Sequence, residues 1–251
     1  MNSHPNIKII GIGGCSRSGK TLLTNELINQ YKNIDNINSY LFSNVYSSIH
    51  LDRYFNIDKI NKNIVRTKFG NSYGNWEFPG ALDWVQFYMD INNEIKELSE
   101  KIKKSSSPNK KGILFIEGFL LFSPCMINKK DESDYLDLFD YYIYICLDKS
   151  TAKLRRMRTT TVPDDYYEYI LWPEHIKYCS KYINFFRQKN EENKNILIID
   201  GNKEYSPKGV AICILNWIGA FNKLDVNYID IYKNLFNSFN IQFNLLKKNF
   251  S

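Results

Sequence analysis

Short apolar runs and longer amphipathic stretches alternate along this chain. The apolar runs have the length and composition of strands that are buried on both faces of a parallel sheet. They are Ile7 to Ile12, Tyr46 to Leu51, Gly112 to Phe122, Tyr141 to Leu147 and Ile196 to Ile199. The pattern therefore predicts about five parallel strands.

Helical patterns lie between and after these runs. The first has Leu22, Leu23, Leu27 and Ile28 at helical spacing. The others are Leu82 to Ile102, Trp172 to Lys189, Val210 to Phe221 and Asp225 to Lys248. Strands that alternate with helices predict an α/β fold, in which helices cover both faces of a five-stranded parallel sheet in a three-layer α/β/α arrangement. Right-handed crossovers then bring all strand carboxyl ends to one edge, where ligands bind.

Two polar stretches interrupt this alternation. The first, Lys59 to Asn75, has no clear period, and we expect a loop there. The second, Lys103 to Lys111, is rich in Ser, Lys and Asn and is typical of a linker. We expect a core over residues 1–224 with a small basic lid at about 150–170, followed by a helical extension over 225–251. For this extension we favour packing on the core over a site for a partner, since apolar helix faces are usually buried.

The composition excludes several classes of protein. The chain has 251 residues, of which 43% are hydrophobic and 24% charged, and this indicates a globular protein rather than a disordered one. Five scattered cysteines form no CxxC pair, which argues against a zinc site or a disulfide framework. No apolar stretch approaches the ~18 residues of a membrane span, and the first six residues do not resemble a signal peptide. We expect a soluble, cytoplasmic protein without a membrane partner.

The net charge is only modestly positive. Thirty-three basic residues face 27 acidic ones, which leaves a formal charge of +6. This balance is compatible with a nucleotide, a nucleic acid or no anionic partner. Because the basic residues form no long stripe, a nucleic-acid partner is not expected.

A glycine-rich turn joins the first predicted strand to the first predicted helix. Its sequence matches the phosphate-binding pattern GxxxxGK[ST] in full. The residues are Gly14, Cys15, Ser16, Arg17, Ser18, Gly19, Lys20 and Thr21. Glycines let successive backbone N–H groups point inward, and the helix directs its positive end to the same place. The pattern predicts a nucleotide phosphate site in a P-loop NTPase-type fold, with Lys20 on the terminal phosphates and the Thr21 hydroxyl on Mg²⁺.

Two carboxylates accompany the predicted strands. Asp52 follows the strand that ends at Leu51, where a carboxylate could orient an acceptor hydroxyl and take its proton, or could simply cap a turn. Glu117 interrupts an apolar strand, and burying a lone carboxylate is costly unless a cation lies beside it. We favour a magnesium-linked carboxylate over an ion pair with a buried Arg or Lys.

Three arginines follow the strand that ends at Leu147. Arg155, Arg156 and Arg158 could close on the oxygens of a transferring phosphoryl group, or could form an ordinary solvated helix face.

In this order, the motifs resemble those of the nicotinamide riboside kinases, within the uridine kinase and phosphoribulokinase group of P-loop enzymes. The resembling stretches are GIGGCSRSGKT at 11–21, LDRYF at 51–55, NWEFPGALD at 75–83, FIEGFLLF at 115–122, KLRRMR at 153–158 and LWPEHIKY at 171–178. The resemblance covers roughly residues 7–205, with gaps at 56–74 and around 159–170.

The resemblance implies a role for each matching residue. Asp52 would be the general base for a ribose 5′-hydroxyl and would lie near Mg²⁺ together with Thr21 and Glu117. Glu77, where the family has Asp, would hold the ribose 2′- and 3′-hydroxyls with Arg156. The remaining residues of the nucleoside pocket would be Arg53, Tyr54, Phe55 and Trp76. The remaining residues around ATP would be Leu22, Arg155, Arg158, Lys203, Glu204 and Tyr205, with Arg158 also catalytic alongside Lys20.

The resemblance implies an ATP- and Mg²⁺-dependent kinase that converts nicotinamide riboside to its mononucleotide in NAD salvage, and we expect it to act as a monomer. A uridine/cytidine kinase would share the fold and chemistry, although the IEGFLLF, NWEFPGALD and lid motifs favour the riboside. A non-catalytic nucleotide-binding regulator is a third hypothesis. The joint presence of Lys20, Thr21, Asp52 and Glu117 speaks against it.

Overall fold

The computed structural model of this chain has a five-stranded parallel sheet at its centre. It describes residues 4–32, 41–105, 110–124, 134–159, 162–178, 185–186, 195–221 and 226–236. The strands are β1 (Ile7–Gly14), β2 (Phe42–His50), β5 (Lys111–Gly118), β6 (Tyr141–Cys146) and β7 (Asn195–Asp200). Their order across the sheet is β2-β5-β1-β6-β7, and every neighbouring pair is parallel. The predicted three-layer α/β fold is therefore confirmed.

Helices cover both faces of the sheet. They are α1 (Lys20–Tyr31), α2 (Ile57–Lys62), α3 (Trp84–Lys103), α4 (Lys149–Met157), α5 (Asp164–Tyr166), α6 (Pro207–Trp217) and α7 (Ile229–Phe236). A π-helical turn at Tyr167–Leu171 continues α5, and the chain remains helical over 172–178.

Each strand of the sheet sends alternate side chains to opposite layers. On β1, Ile9 packs in the layer that contains α3, while Ile10 packs in the layer that contains α1 and α6. The long helix α3 buries an apolar stripe against its layer and begins at Asp83, whose carboxylate accepts a hydrogen bond from the Gln86 N–H at 3.0 Å. Sequence periodicity predicted this helix to within two residues at each end, because a wide apolar stripe is a strong signal.

The boundaries of the predicted strands shift slightly in the structure. Strand β2 begins at Phe42, four residues earlier than predicted, and ends at His50. Asp52 therefore lies on a 3₁₀ turn (Leu51–Tyr54) just beyond the strand. Strand β5 ends at Gly118, and residues 119–122 continue as a turn rather than as strand.

The polar stretch that we expected to be a loop contains regular structure. Helix α2 is followed by an antiparallel hairpin of β3 (Ile64–Arg66) and β4 (Ser72–Gly74). Each of these strands is only three residues long, which is too short to give a readable alternation of apolar and polar residues. This correction matters because the hairpin lies beside the candidate site.

Part of the expected carboxyl-terminal extension lies within the described residues. Helix α7 and the turn before it pack against α6, where Gly209 leaves room for the side chains of Ile231 and Tyr228. Leu235 is buried in the same cluster. The rest of the predicted extension and part of the helix predicted over 172–189 lie outside the described residues.

Within the described ranges, no helix combines the length and the apolar character that a membrane crossing requires.

Candidate active site

The glycine-rich turn between β1 and α1 is held in an uncommon backbone conformation. Gly14 has a φ of +150° and Gly19 a φ of +101°, and Arg17 between them has a φ of +65°. A β-carbon on Gly14 would lie 2.6 Å from the carbonyl oxygen of Ile145, so only glycine fits there. The turn is closed by the Ser18 N–H, which donates to the Cys15 carbonyl at 3.1 Å. Such turns direct backbone N–H groups into one concavity that suits an anion.

A lysine and a helix end add positive charge to this concavity. Lys20 is buried, and its Nζ donates to the Cys15 carbonyl at 3.0 Å. Helix α1 begins at Lys20, so its unpaired N–H groups face the same turn. The buried Ser18 hydroxyl has no hydrogen-bond partner among the described residues. An anion of the size of a phosphate group would satisfy these donors together.

Glu117 is the buried carboxylate of β5, and two donors meet on one of its oxygens. The Thr21 hydroxyl donates to Glu117 Oε1 at 2.8 Å, and His50 Nδ1 lies 2.7 Å from the same atom. Burial by itself would raise the pKa of Glu117. The hydrogen bonds from His50 and Thr21 and the charge of Lys20 together lower the pKa below its usual value. Glu117 is therefore an ionised carboxylate at neutral pH.

Asp52 is the second carboxylate at this edge of the sheet. It is open to the cleft, but the protein around it still removes part of its hydration and raises its pKa. The charge of Lys20 opposes this rise in pKa, while the charge of Glu117 adds to it. A carboxylate with a raised pKa is a better proton acceptor than an ordinary surface aspartate.

The oxygen ligands available at this edge of the sheet are of the chemical type that Mg²⁺ prefers. Thr21 supplies a hydroxyl, and Glu117 and Asp52 supply carboxylate oxygens, which are the hard ligands that Mg²⁺ prefers. In the described part of the chain, no three His, Cys, Asp or Glu side chains are close enough to hold a metal by themselves. This fits an ion that keeps several waters and is shared with phosphates rather than one held in a protein cage.

A cleft of about 460 Å³ opens from the glycine-rich turn past Asp52; we call it the Asp52 cleft. Its lining residues are Ser16, Arg17, Gly19, Lys20, Thr21, Leu22, Asp52, Phe55, Trp76, Glu77, Phe119 and Arg156. Three aromatic rings form its apolar end. Phe55 meets Trp76 edge to face at 5.2 Å and stacks on Phe119 at 5.8 Å, measured between ring centroids. Trp76 remains 39% exposed, so part of its surface is available to a flat ligand.

Glu77 and Arg156 form the polar wall of the Asp52 cleft. Burial raises the pKa of Glu77 to about 7, although the charge of Arg156 and a hydrogen bond from the Tyr166 hydroxyl at 3.3 Å oppose this rise. The Glu77 N–H donates to the Asn75 side-chain oxygen at 2.9 Å, which fixes the backbone at this point. Arg156 also donates to the Ser16 hydroxyl of the glycine-rich turn. Arg156 thus connects the anion site with the polar wall.

A smaller cleft of about 260 Å³ adjoins the Asp52 cleft, because Trp76 and Arg156 line both; we call it the Tyr73 cleft. Its other walls come from the hairpin, at Tyr73 and Gly74, and from Val162, Pro163 and Tyr166. Hairpin and α5 are joined through one carboxylate. Asp165 accepts hydrogen bonds from Thr67 at 3.0 Å, Asn71 at 2.8 Å and Tyr73 at 2.9 Å.

A third cleft, of about 420 Å³, lies on the other side of the glycine-rich turn; we call it the Tyr205 cleft. The predicted ATP residues Arg155, Arg158, Lys203 and Tyr205 line it together with apolar side chains of β6, β7 and α6. Arg155 is fixed there, since its Nη2 donates to the Gly201 carbonyl at 2.7 Å. The Tyr205 cleft therefore offers an apolar slot beside guanidinium groups.

Several predicted site residues are not brought together. Arg53 and Tyr54 line a separate polar cleft between β2 and α3, where the Tyr54 hydroxyl donates to Asp90 at 2.9 Å. These two residues therefore lie apart from the Asp52 cleft, which Phe55 lines. Glu204 is exposed and lines none of the described clefts, and Arg158 lies in the Tyr205 cleft rather than beside Asp52.

Sequence reasoning missed three residues of the site. Phe119 lies in the FIEGFLLF motif, so the motif itself could have suggested it. His50 lies opposite Glu117 on the neighbouring strand, and only the register of β2 and β5 reveals this. Tyr166 lies in the gap of the family resemblance around 159–170, and no sequence signal connects it with Glu77.

Comparison with known proteins gives relatives at low identity. No family model matches the chain. It is 26% identical over 210 residues to nicotinamide riboside kinase 2 of Mus musculus, covering 80% of this chain and 90% of that protein. It is 26% identical over 200 residues to nicotinamide riboside kinase 2 of Homo sapiens, covering 78% of this chain and 74% of that protein. A solved structure from Thermus thermophilus aligns over 87% of this chain and all of its own, at 13% identity and a TM-score of 0.41.

Proposed function

We propose that this protein is an ATP- and Mg²⁺-dependent nucleoside kinase, and that its acceptor is nicotinamide riboside, phosphorylated on the 5′-hydroxyl. One observation carries the proposal. Two clefts of different character meet at the glycine-rich turn, since Arg17, Gly19 and Leu22 line both. A phosphate chain that lies in the turn would thus reach a purine on one side and an alcohol acceptor on the other.

The donor nucleotide would occupy the turn and the Tyr205 cleft. Backbone N–H groups and the N-terminus of α1 would bind the phosphates, and Lys20 would exchange its bond to the Cys15 carbonyl for one to a phosphate oxygen. The base would enter the apolar slot beside Arg155 and Tyr205. Planar guanidinium groups stack well on aromatic bases, which fits this composition.

The acceptor would occupy the Asp52 cleft. Asp52 would orient the 5′-hydroxyl and take its proton as the phosphoryl group transfers, a task for which its raised pKa is suited. Glu77 and Arg156 would hold the ribose hydroxyls by charge-assisted hydrogen bonds. Because Arg156 also contacts Ser16, it would couple the position of the ribose to the phosphate-binding turn.

Thr21 would hold Mg²⁺ directly, with Glu117 and Asp52 acting directly or through its waters. The chemistry that Mg²⁺ would supply when bound is neutralisation of the charge on the outer phosphates.

The choice of nicotinamide riboside rests on the motifs, the named relatives and the apolar end of the cleft. The two curated relatives are named for this acceptor. A positively charged pyridinium ring is attracted to the face of an indole, and Trp76 presents exposed surface beside the ribose-binding wall. Uridine or cytidine is the second candidate acceptor, because the same clefts would admit any riboside with a flat base.

A single assay tests the proposal. Purified protein with ATP and Mg²⁺ is incubated separately with nicotinamide riboside, nicotinic acid riboside, uridine and cytidine, and the products are separated by chromatography. We expect the highest kcat/KM with nicotinamide riboside and no product from the Asp52→Asn variant. Preferential use of uridine or cytidine would replace the acceptor assignment. Nucleotide binding without any phosphorylated product would favour the non-catalytic regulator.

A further inference from the structure

His50 is the last residue of β2 and lies directly opposite Glu117 of β5 in the strand register. Its Nδ1 is 2.7 Å from Glu117 Oε1, and the imidazole side chain is only 17% exposed. A carboxylate that is ionised can only accept hydrogen bonds, so the proton of this contact belongs to Nδ1 of the histidine.

Both hydrogen bonds to Glu117 end on the same oxygen. The Thr21 hydroxyl and the His50 ring share Oε1, and no described residue donates to Oε2. Two donors on one oxygen fix the plane of the carboxylate and leave its second oxygen directed elsewhere. This arrangement suits a carboxylate that must face a hydrated cation with a single oxygen.

Thr21 alone could not hold Glu117 in this way. Its hydroxyl has one proton and a short side chain, and the same oxygen atom would carry the metal in the nucleotide complex. His50 is anchored independently, since its neighbours Ile49 and Leu51 are both buried in the core. The imidazole therefore restrains Glu117 from a rigid strand rather than from the nucleotide-binding helix.

We propose that His50 is a positioning residue of the metal–nucleotide site, which orients Glu117 through its Nδ1–H. The inference rests on the proposed function for the presence of the metal, but not on the identity of the acceptor. Residues that hold metal-linked carboxylates in place contribute about 10- to 100-fold to metal affinity or activity.

The test measures metal binding without turnover. Mn²⁺ is titrated into the protein–ADP complex, and free Mn²⁺ is read by electron paramagnetic resonance for the wild type and the variants His50→Ala, His50→Leu and His50→Asn. We expect the Ala and Leu variants to bind Mn²⁺ about 10- to 100-fold more weakly. His50→Asn should stay within a few-fold of the wild type, because its amide N–H lies close to the position of Nδ1.

Two controls separate positioning from general damage to the fold. Ser48→Ala changes the same strand two residues earlier and should leave Mn²⁺ affinity unchanged. ADP binding in EDTA should be equal in all five proteins, because the backbone turn and Lys20 are intact. Mn²⁺ affinity of His50→Ala within about twofold of the wild type would overturn the inference, as would an Asn variant no better than Leu.

The outcome is distinguishable from failure of the proposed function. A wild type that binds Mn²⁺ with ADP but phosphorylates no riboside would contradict the kinase proposal and leave the His50 comparison valid. A wild type that binds no Mn²⁺ with ADP would overturn both proposals.

Discussion

The proposed phosphate-binding side and the proposed acceptor side of this site, called the phosphate side and the acceptor side below, are built in different ways. The phosphate side consists of consecutive residues, 14–21, in one turn between a strand and a helix. The acceptor side combines several separate parts of the chain. They are the turn after β2, the segment after the hairpin, Phe119 just after β5, and the two helices α4 and α5. A contiguous motif dictates its own backbone geometry, whereas a composite wall depends on tertiary contacts for every distance in it.

The two sides also differ in how their charges are arranged. On the phosphate side, Lys20 and the donors of the turn present positive charge to an anion. On the acceptor side, Glu77 is buried deeply enough that its pKa is raised to about 7. The first side attracts its ligand whatever the acceptor, while the second can be ionised or neutral at physiological pH. Changes on the phosphate side should therefore affect all turnover, and changes on the acceptor side should affect selectivity.

The largest expected effect comes from the phosphate side. Lys20→Ala removes the buried ammonium that would contact the transferring phosphoryl group, and we expect kcat to fall by about three orders of magnitude. The loss should be equal for every acceptor and for the ATPase reaction without acceptor. Lys32→Ala, at the far end of the same helix, is the matched control, and circular dichroism verifies the fold. A Lys20→Ala variant with near wild-type turnover would contradict the phosphate site.

The next largest effect should come from the acceptor side and should be selective. Glu77→Ala removes the carboxylate that would bind the ribose diol. We expect kcat/KM for the riboside to fall by the factor that corresponds to a loss of about 2–4 kcal/mol of transition-state stabilisation. ATPase turnover without riboside should change little, and Glu77→Asp should keep substantial activity.

The diol assignment is tested with a 2′-deoxynucleoside beside the matching riboside. An analogue that lacks the hydroxyl leaves buried polar groups of the site unpaired, and this can lower its kcat/KM by about four orders of magnitude. The wild type should therefore use the deoxynucleoside poorly, and Glu77→Ala should reduce the gap. Equal use of both substrates by the wild type would exclude the diol contact.

The same difference between the two sides explains what the sequence could predict. The phosphate turn, the carboxylates Asp52 and Glu117 and the five strands were predictable, because each depends on local pattern or on apolar runs. The hairpin was not, since its three-residue strands carry no period and are joined to α5 through Asp165, about ninety residues further along the chain.

The sequence also could not predict which cleft each side chain lines. Arg53 and Tyr54 adjoin Asp52 in sequence, yet the 3₁₀ turn directs them to a different cleft. Arg155 and Arg156 are adjacent on α4, and helical geometry sends one to the Tyr205 cleft and the other to the Asp52 cleft. A run of basic residues reveals the charge of a lid but not which arginine serves which ligand.

A smaller, pH-dependent effect should distinguish the two sides in the wild type. Because the pKa of Glu77 is raised to about 7, its carboxylate is ionised above that pH and protonated below it. If the ionised form binds the diol, kcat/KM for the riboside should fall by about tenfold per pH unit as the pH drops below about 7. The dissociation constant of ADP should vary much less over the same range. Glu77→Gln should lose this inflection, and an unchanged profile in that variant would assign the titration to another group.

The smallest expected effect concerns the contact between the hairpin and α5. Asp165→Ala removes a carboxylate that accepts hydrogen bonds from Thr67, Asn71 and Tyr73 and from the backbone N–H of Tyr166, so the hairpin wall of the Tyr73 cleft should loosen. Misplacing a substrate-positioning wall can lower the catalytic rate by up to about a hundredfold. The hairpin wall does not border Asp52, so we expect only a several-fold rise in the KM for the acceptor. The KM for ATP should not change, because the Tyr205 cleft shares no residue with the hairpin.

Asp164→Ala is the matched control, because Asp164 is the neighbouring residue in the sequence. Among the described residues its carboxylate pairs only with Lys153, in an exposed contact of little energetic weight. Equal KM values for the riboside in the two variants would show that the hairpin wall does not position the acceptor.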